Sequence, residues 1–265
     1  MIENENFNAI SVIRDVVLDF KTRGRGQSVR ALDGVSLSVP RGQTTGIVGG
    51  SGSGKTTLGR VMLGLVKPEQ GQVLFDGRPM TGRGAFDRMR GRLQVVLQNP
   101  DWSLNPALRV WRSVSEPLAV SGSVARRDRR DAAIEMLGLV GLDRVLADRR
   151  PHELSGGQRQ RVAIARAMIT SPDLILFDEA VTALDASVQT QVLNLIRDLQ
   201  AQRGFAAVFI SHDLAAVRYI SDHIAVAYRG SIVETGPVER FYGRAEHPYT
   251  RQLLSTLPVP HGLEP

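Results

Sequence analysis

A glycine-rich stretch at Gly49–Thr57, called the phosphate loop below, constrains the fold of this chain more than any other feature. It reads Gly-Gly-Ser-Gly-Ser-Gly-Lys-Thr-Thr and fits the pattern G-x-x-x-x-G-K-[ST]. The preceding residues, 44–48, are typical of a short buried strand, and apolar residues after the loop recur at helical spacing. A phosphate-binding loop requires this order of strand, loop and helix. The alternative, a flexible linker, rarely lies between a strand and an amphipathic helix.

The residue types in the phosphate loop suit the binding of a nucleotide. Glycines allow the backbone to turn so that successive N–H groups converge on a phosphate, and the next helix adds its positive N-terminal end. We expect Lys55 to reach the β- and γ-phosphates and the Thr56 hydroxyl to ligate Mg²⁺. The predicted nucleotide-binding residues of the loop are Gly49, Gly50, Ser51, Gly52, Ser53, Gly54, Lys55, Thr56 and Thr57.

Composition narrows the class of protein further. The 265 residues, 42% of them hydrophobic, can form one large domain or one domain with a subdomain. The chain has no cysteine, which excludes disulfides, thiolate zinc sites and cysteine-ligated iron–sulfur clusters. The N-terminus is acidic and polar, unlike a secretory signal, and no apolar run approaches the roughly 18 residues of a membrane span. We therefore expect a soluble intracellular protein, and the net charge of +6 favours anionic partners.

Strand-like and helix-like segments alternate along the chain. Apolar runs predict strands at 10–20, 35–39, 44–48, 73–75, 93–97, 173–178, 206–210, 224–228 and 231–234. Helical spacing predicts helices at 110–120, 126–139, 155–168 and 214–220, and another that carries Val188, Val192 and Leu199. The predicted fold is α/β with a largely parallel sheet and an antiparallel portion near residues 10–39. Residues 78–91 are predicted to be a loop, and residues 101–152 a helical insertion.

Polar side chains follow the predicted parallel strands at the points where these strands end. In a sheet of this kind, ligands gather at the carboxyl ends of the strands. Asp178 closes an apolar strand, where a carboxylate is costly unless it meets a cation, so Mg²⁺ is its expected partner. Glu179, directed to the other side of the extended chain, is the predicted general base for an attacking water. The alternative for this acidic pair is the N-cap of a helix.

Three further residues complete the predicted site. Gln98 would bridge Mg²⁺ and the attacking water, and His212 would donate a hydrogen bond to the γ-phosphate. Either residue alone would ordinarily be structural. Phe20 on the first strand is a candidate to stack on an adenine ring, although an aromatic residue on a strand more often belongs to the core.

A second anion site is predicted at Leu154–Arg161, which reads Leu-Ser-Gly-Gly-Gln-Arg-Gln-Arg. A serine at a helix start, followed by two glycines, presents backbone N–H groups much as the phosphate loop does. One chain rarely needs two such sites for one triphosphate, so the second most simply completes the site of another subunit. These residues therefore predict a Mg²⁺-dependent nucleotide hydrolase that works as a dimer.

Six motifs occur here in the order found in ATP-binding cassette (ABC) ATPases, and the resemblance covers about residues 10–235. They are the phosphate loop, Gln98, the signature at Leu154–Gln158, the strand that ends in Asp178-Glu179, Ala183-Leu184-Asp185 and His212. The resemblance implies a P-loop NTPase core of RecA-like fold, with an antiparallel β-subdomain and an inserted α-helical subdomain. It also implies a head-to-tail dimer that buries two ATP molecules, with Asp185 in the loop at the dimer seam. In that dimer each ATP lies between the phosphate loop of one subunit and the signature residues of the other, Ser155, Gly156, Gly157 and Gln158.

The resemblance divides the chain into an ABC ATPase domain at residues 1–240 and a short C-terminal tail at 241–265. The helical subdomain at about 101–152 would touch a membrane permease, with Gln98 as its hinge. The implied partners are two transmembrane permease subunits, a second ABC ATPase subunit (a paralogue or a copy) and, indirectly, an extracytoplasmic substrate-binding protein. Nucleic acid is not expected as a partner. The implied location is peripheral, at the cytoplasmic face of the inner membrane.

Two segments, Gln98–Pro106 and Glu246–Leu254, resemble the subfamily of peptide and nickel importers. Their alternatives are an ordinary loop and an ordinary helix start. The chain departs from the common ABC pattern at Ala180-Val181, where Pro followed by Thr or Ser is usual; neither usual residue is a first-line catalyst, so activity is expected. The predicted function is the ATP-hydrolysing subunit of an importer for di- or oligopeptides or nickel. An exporter subunit, or an ABC protein that acts on nucleic acid or ribosomes, remains an alternative.

Overall fold

The structure is a computed structural model that describes residues 8–21, 28–82 and 84–256. The strands of this described part are β1 (Ala9–Lys21), β2 (Ser28–Pro40), β3 (Thr44–Val48), β4 (Gln70–Phe75), β5 (Arg78–Pro79), β6 (Leu93–Leu97), β7 (Leu174–Asp178), β8 (Ala206–Ile210), β9 (His223–Tyr228) and β10 (Ser231–Pro237). Its α-helices are α1 (Lys55–Met62), α2 (Ala85–Met89), α3 (Val110–Ser121), α4 (Arg129–Leu139), α5 (Gly156–Met168), α6 (Ala186–Arg203), α7 (Leu214–Ile220), α8 (Val238–Gly243) and α9 (Pro248–Leu254).

The larger sheet has six strands in the order β10-β9-β3-β8-β7-β6. Neighbouring strands from β9 to β6 are all parallel, and only the edge strand β10 runs antiparallel to its neighbour. Every residue of β3 and β8 is buried, because strands covered on both faces have no polar side. The predicted α/β fold with a largely parallel sheet is confirmed.

The smaller sheet has four antiparallel strands in the order β2-β1-β4-β5. The antiparallel portion predicted near residues 10–39 is therefore confirmed, as part of a separate sheet. Its apolar face shares one core with α1 and with the larger sheet, where Ile13 and Leu32 meet Leu58, Met62 and Val208. This core lies directly behind the phosphate loop, since α1 begins at the last residues of that loop.

Helices dominate residues 101–152, and α3, α4 and α5 pack against one another. Helical spacing of Ile134, Leu137 and Val140 predicts an apolar face for α4, and it is confirmed, because Leu137 and Val140 are fully buried and Ile134 packs against the same core. Short 3₁₀ turns at Pro100–Trp102, Arg144–Asp148 and Pro151–Glu153 connect these helices to the sheet. Among the residues described, no helix is both long enough and apolar enough to cross a membrane.

Some predicted boundaries were wrong. The predicted loop at 78–91 contains β5 and α2, which are two and five residues long, too short for hydrophobic periodicity to reveal. Helix α4 begins at Arg129 rather than at residue 126, and β2 is 13 residues long rather than five. Much of the added length of β2 is polar and exposed, so it lacked an apolar signal. The alternating arginines and glycines at 23–26 predict a polar loop, which lies outside the described residues.

Candidate nucleotide-binding site

The register of the larger sheet aligns the ends of four strands. Asp178 on β7 pairs with Leu97 on β6 and with Ile210 on β8, and Ile210 pairs with Ile47 on β3. The residues that follow these strands therefore leave the sheet at one edge. Gln98, Glu179, His212 and the phosphate loop share this edge, as the sequence predicted.

The phosphate loop can follow its path only with glycine at certain positions. A Cβ atom on Gly49 would lie 2.2 Å from the backbone oxygen of Ala227, and one on Gly54 would lie 2.7 Å from that of Ala31. Gly54 also has a φ of 102°, in the region that favours glycine, and it precedes α1 without a side-chain cap. The N–H groups at the start of α1 thus have no capping side chain, which suits them to bind an anion.

Lys55 lies inside the phosphate loop rather than in solvent. Its side chain is 7% exposed, and its Nζ donates to the carbonyl oxygens of Gly49 and Gly50, each at 2.8 Å. Burial lowers the pKa of Lys55, while the nearby carboxylates of Glu179 and Asp178 act in the opposite direction. The ammonium group therefore sits next to both the loop and the acidic pair. The predicted contact with phosphates stays a prediction.

Asp178 carries a buried oxygen without a hydrogen-bond partner. Oδ1 is inaccessible to solvent and finds no partner within the described part of the chain. Burial raises the pKa of Asp178, and the negative charge of Glu179 raises it further. A divalent cation would compensate such an oxygen, so the residues fit Mg²⁺. No group of three His, Cys, Asp or Glu side chains among the described residues could hold a metal ion by itself, so the other ligands would be the Thr56 hydroxyl, the Gln98 amide, phosphate oxygens and water.

Glu179 does not have the extended backbone that the sequence predicted. Its φ is 50°, in the left-handed region, because the chain turns sharply as it leaves β7. The Glu179 N–H donates to the carbonyl oxygen of Ile210 at 2.9 Å, which anchors the turn to β8. Non-glycine residues in this conformation are uncommon and often occur at functional sites. Its carboxylate Oε1 lies 3.6 Å from Nδ1 of the exposed His212.

Thr182 is a site residue that the sequence analysis missed. Its hydroxyl donates to the Glu179 carbonyl oxygen at 2.9 Å and accepts a hydrogen bond of 3.4 Å from Nε2 of Gln98. Gln98, Glu179 and His212 are therefore brought together, with Thr182 as the link between the first two. A single threonine in a loop gives no sequence signal for such a role. The unusual neighbours Ala180 and Val181 are buried in the core.

The signature residues lie at the start of α5. Ser155 Oγ accepts from the N–H of Gln158 at 3.2 Å, and Gln158 Oε1 accepts from the N–H of Ser155 at 2.9 Å, which forms a capping box. Gly157 lies against α6, since a Cβ there would be 2.6 Å from Cγ1 of Val188. Among the described residues, no hydrogen bond joins Ser155, Gly156, Gly157 or Gln158 to the phosphate loop of the same chain.

Asp185 lies at the start of α6, and Phe20 lies near the end of β1. Asp185 caps α6, because its carboxylate accepts a hydrogen bond of 3.0 Å from the N–H of Val188. This bond and a second one, donated by the Ser187 hydroxyl, lower the pKa of Asp185. Phe20 pairs with Val29 across β1 and β2, and 43% of it is exposed. An exposed aromatic ring is available for stacking, and its contact with adenine stays a prediction.

Comparisons with known proteins agree with this geometry. The family described as ABC transporter matches residues 32–182. A relative from Brucella abortus (strain 2308), named "Putative peptide import ATP-binding protein", is 45% identical over 250 residues, which are 93% of this chain and 75% of the relative. A relative of the same name from Brucella ovis is 44% identical over 250 residues, 94% of this chain and 78% of that protein.

Two solved structures extend the comparison to the fold. A dimeric ATP-binding cassette in a post-hydrolysis state, bound to ADP and Pi, superposes with a TM-score of 0.77 at 29% identity, covering 86% of this chain and 98% of the other. The protein cbiO1 from Clostridium perfringens, part of the ABC transporter complex cbiONQ, gives 0.78 at 28% identity, covering 89% and 92%. With its phosphate loop, its strand-end carboxylates and these similarities, the chain belongs to the ABC transporter family and is one of its ATP-hydrolysing subunits.

Proposed function

We propose that this chain is the ATP-hydrolysing subunit of an importer that takes up di- or oligopeptides, or nickel. The observation that carries the proposal is the convergence of the phosphate loop, Asp178, Glu179, Gln98 and His212 at one edge of the parallel sheet. The name of the Brucella relatives supports peptide as the cargo, and the tail segment Glu246–Leu254 supports the subfamily of peptide and nickel importers.

In the proposed site, the N–H groups of the phosphate loop and the Lys55 ammonium bind the phosphates of ATP, and Phe20 stacks on the adenine. Thr56, Gln98 and Asp178 hold Mg²⁺, and the unpartnered Oδ1 of Asp178 supports this assignment. When bound, Mg²⁺ neutralises charge on the phosphate oxygens. A cation held by these residues would also relieve the cost of the Asp178 charge, because Oδ1 of Asp178 is buried without a partner.

The remaining groups act on the water that attacks the γ-phosphate. Glu179 accepts a proton from this water at its carboxylate, and Gln98 orients the water. His212 donates a hydrogen bond to the γ-phosphate as its charge changes. Thr182 holds Gln98 beside Glu179 through its two hydrogen bonds, so it is a positioning residue.

The working form is a head-to-tail dimer. Each ATP lies between the phosphate loop of one subunit and Ser155, Gly156, Gly157 and Gln158 of the other, with Asp185 in the seam. Exposure of Ser155 and Gly156 supports this arrangement, since a partner can reach them. The similar cassette bound to ADP and Pi is itself dimeric, which is further support.

The division of the chain follows from this function. Residues 1–240 form the ATPase domain, in which the helical subdomain at about 101–152 touches two transmembrane permeases and Gln98 acts as its hinge. Residues 241–265 form the tail. The second ATPase subunit is a paralogue or a copy, and a substrate-binding protein delivers the cargo from outside. The protein is peripheral, at the cytoplasmic face of the inner membrane.

Substitution Glu179→Gln tests the proposed chemistry. The amide keeps the size of the side chain but is a poor proton acceptor, so we expect kcat to fall about 10²- to 10⁴-fold. Binding of ATP should persist, because the phosphate loop is unchanged. Phosphate release and nucleotide titration measure the two quantities separately. Glu239→Gln on α8 is the matched control, since Glu239 is exposed and lies outside the site. Turnover near the wild-type rate would remove Glu179 from its assigned role.

A further inference from the structure

Helix α9 places a tyrosine hydroxyl on the phosphate loop. The N–H of Gly50 donates to the Tyr249 hydroxyl at 2.7 Å, across 199 positions of sequence. The fit is close, because a Cβ atom on Gly50 would lie only 3.1 Å from that oxygen. The second residue of the loop is therefore held by a side chain from the C-terminal tail.

The ring of Tyr249 is fixed by a second tyrosine. The rings of Tyr249 and Tyr228 lie 4.1 Å apart between centroids, with 30° between their planes. Tyr228 ends β9, and the turn after it also touches the phosphate loop, since Gly230 N–H donates to the Ser53 carbonyl oxygen at 3.1 Å. The Arg229 guanidinium lies over the Tyr228 ring, 5.1 Å from its centroid. The tail and the β9–β10 turn thus support the loop together.

A half-buried carboxylate sets the position of α9. Glu234 on β10 accepts from the N–H of Glu246 at 2.9 Å and from that of His247 at 3.0 Å. His247 then caps α9, because its Nδ1 accepts from the N–H of Tyr249 at 3.2 Å. These bonds connect the sheet, the start of the helix and the tyrosine in one chain of contacts. Tyr249 therefore has little freedom to leave the phosphate loop while the tail stays docked.

We propose that Tyr249 is a positioning residue that fixes the phosphate loop for nucleotide, and that docking of the tail is thereby coupled to nucleotide affinity. A glycine-rich loop loses much conformational entropy when it binds, and a loop already held in place loses less. Coupling of this kind is reciprocal, so bound nucleotide also stabilises the docked tail. The inference rests on the assignment of the phosphate loop in the proposed function.

Substitution Tyr249→Phe tests the inference, because it removes the hydroxyl and keeps the ring stack. For the purified full chain, we expect a Kd for mant-ADP about three- to tenfold higher than that of the wild type, as for the loss of one hydrogen bond. The KM for ATP should rise by a similar factor, with kcat within about twofold. Tyr242→Phe is the matched control, since the Tyr242 hydroxyl donates to the Leu214 carbonyl oxygen, away from the loop.

A second measurement uses the reciprocity of the coupling. By hydrogen exchange, mant-ADP should protect residues 246–254 in the wild type and protect them less in Tyr249→Phe. Glu234→Gln, which weakens the two bonds that dock α9, should raise the Kd in the same direction. It provides a second route if Tyr249→Phe fails to fold.

The outcomes separate the inference from the proposed function. Wild-type affinity in Tyr249→Phe, or an equal loss in Tyr242→Phe, overturns the role of Tyr249. Lys55→Ala should lose most of its mant-ADP affinity. If Lys55→Ala loses affinity while Tyr249→Phe does not, only the inference fails. Wild-type affinity in Lys55→Ala would overturn the assignment of the phosphate loop and the inference with it.

Discussion

Asp178 and Glu179 are adjacent carboxylates in different environments. Asp178 ends β7 with a buried, unpartnered oxygen, and its pKa is raised mainly by burial. Glu179 leaves the strand with a φ of 50° and lies beside His212. In the proposed mechanism, the turn at Glu179 allows the two acids to serve separate groups, a cation and a water. In the proposed site, the backbone conformation of Glu179 therefore matters as much as its charge.

Substitution Asp178→Asn separates the role of Asp178 in binding from its role in stability. Without the charge, the Mg²⁺ dependence of ATP affinity should disappear, and turnover should fall at least about 10²-fold. The free energy of unfolding of the nucleotide-free protein should not fall, because a costly buried charge has been removed. ATP titrations with and without Mg²⁺, and urea unfolding, measure these effects. A fall in stability of about 2 kcal/mol or more would contradict the description of Oδ1 as unpartnered.

At the scale of elements, the start of α5 combines a capping box with close packing. Ser155 and Gln158 cap each other, so the helix start is well defined before any partner arrives. Gly157 faces Val188 on α6 at a distance that excludes a side chain, whereas a Cβ on Gly156 would meet nothing within 4 Å. Contacts within this chain therefore require glycine at position 157 but not at position 156.

Substitutions Gly157→Ala and Gly156→Ala are a matched pair that tests this difference. Alanine at 157 must displace Val188 Cγ1, so we expect a loss of about 1–3 kcal/mol in the free energy of unfolding. Alanine at 156 should change that free energy by less than about 0.5 kcal/mol. Urea unfolding of both variants measures the difference. Equal losses in the two variants would contradict close packing at Gly157 alone.

At the scale of the whole molecule, the strand-end site uses only one edge of the larger sheet. The exposed signature residues and the helices at 110–139 lie outside that site and are available to other chains in the proposed assembly. The protein cbiO1, to which this chain is similar, is itself part of a transporter complex. In the proposed assembly, cargo selection belongs to the partner chains, so their identity would reveal the cargo.

Capture from native membranes tests the proposed assembly. Tagged Glu179→Gln protein is captured from native membranes that have been treated with ATP and solubilised with detergent. It should retain two permease-like membrane proteins and a second ATPase, which mass spectrometry identifies. The variant is suitable because it is expected to bind ATP without turning it over, which prolongs the closed dimer. Lys55→Ala, which should not bind ATP, is the control for ATP-dependent capture. Recovery of ribosomes or DNA without membrane proteins would contradict the transport function while leaving the ATPase site intact.

Sequence alone predicted those features that short segments encode. The phosphate loop, the strands 44–48, 93–97 and 206–210, and the helix start at Ser155 were predicted at their observed positions. Glycine spacing and apolar runs are local signals, so they can be recognised without knowledge of the fold. The common edge of Gln98, Glu179 and His212 also followed, because parallel strands must end together.

Only the tertiary structure decided the contacts between distant segments. The left-handed turn at Glu179 depends on a bond to Ile210, the link through Thr182 depends on the position of Gln98, and the support of Gly50 by Tyr249 spans 199 positions. A threonine or tyrosine in a loop carries no periodic pattern from which its partner can be deduced. The partner is set by strand register and by the packing of the tail, which are properties of the whole chain.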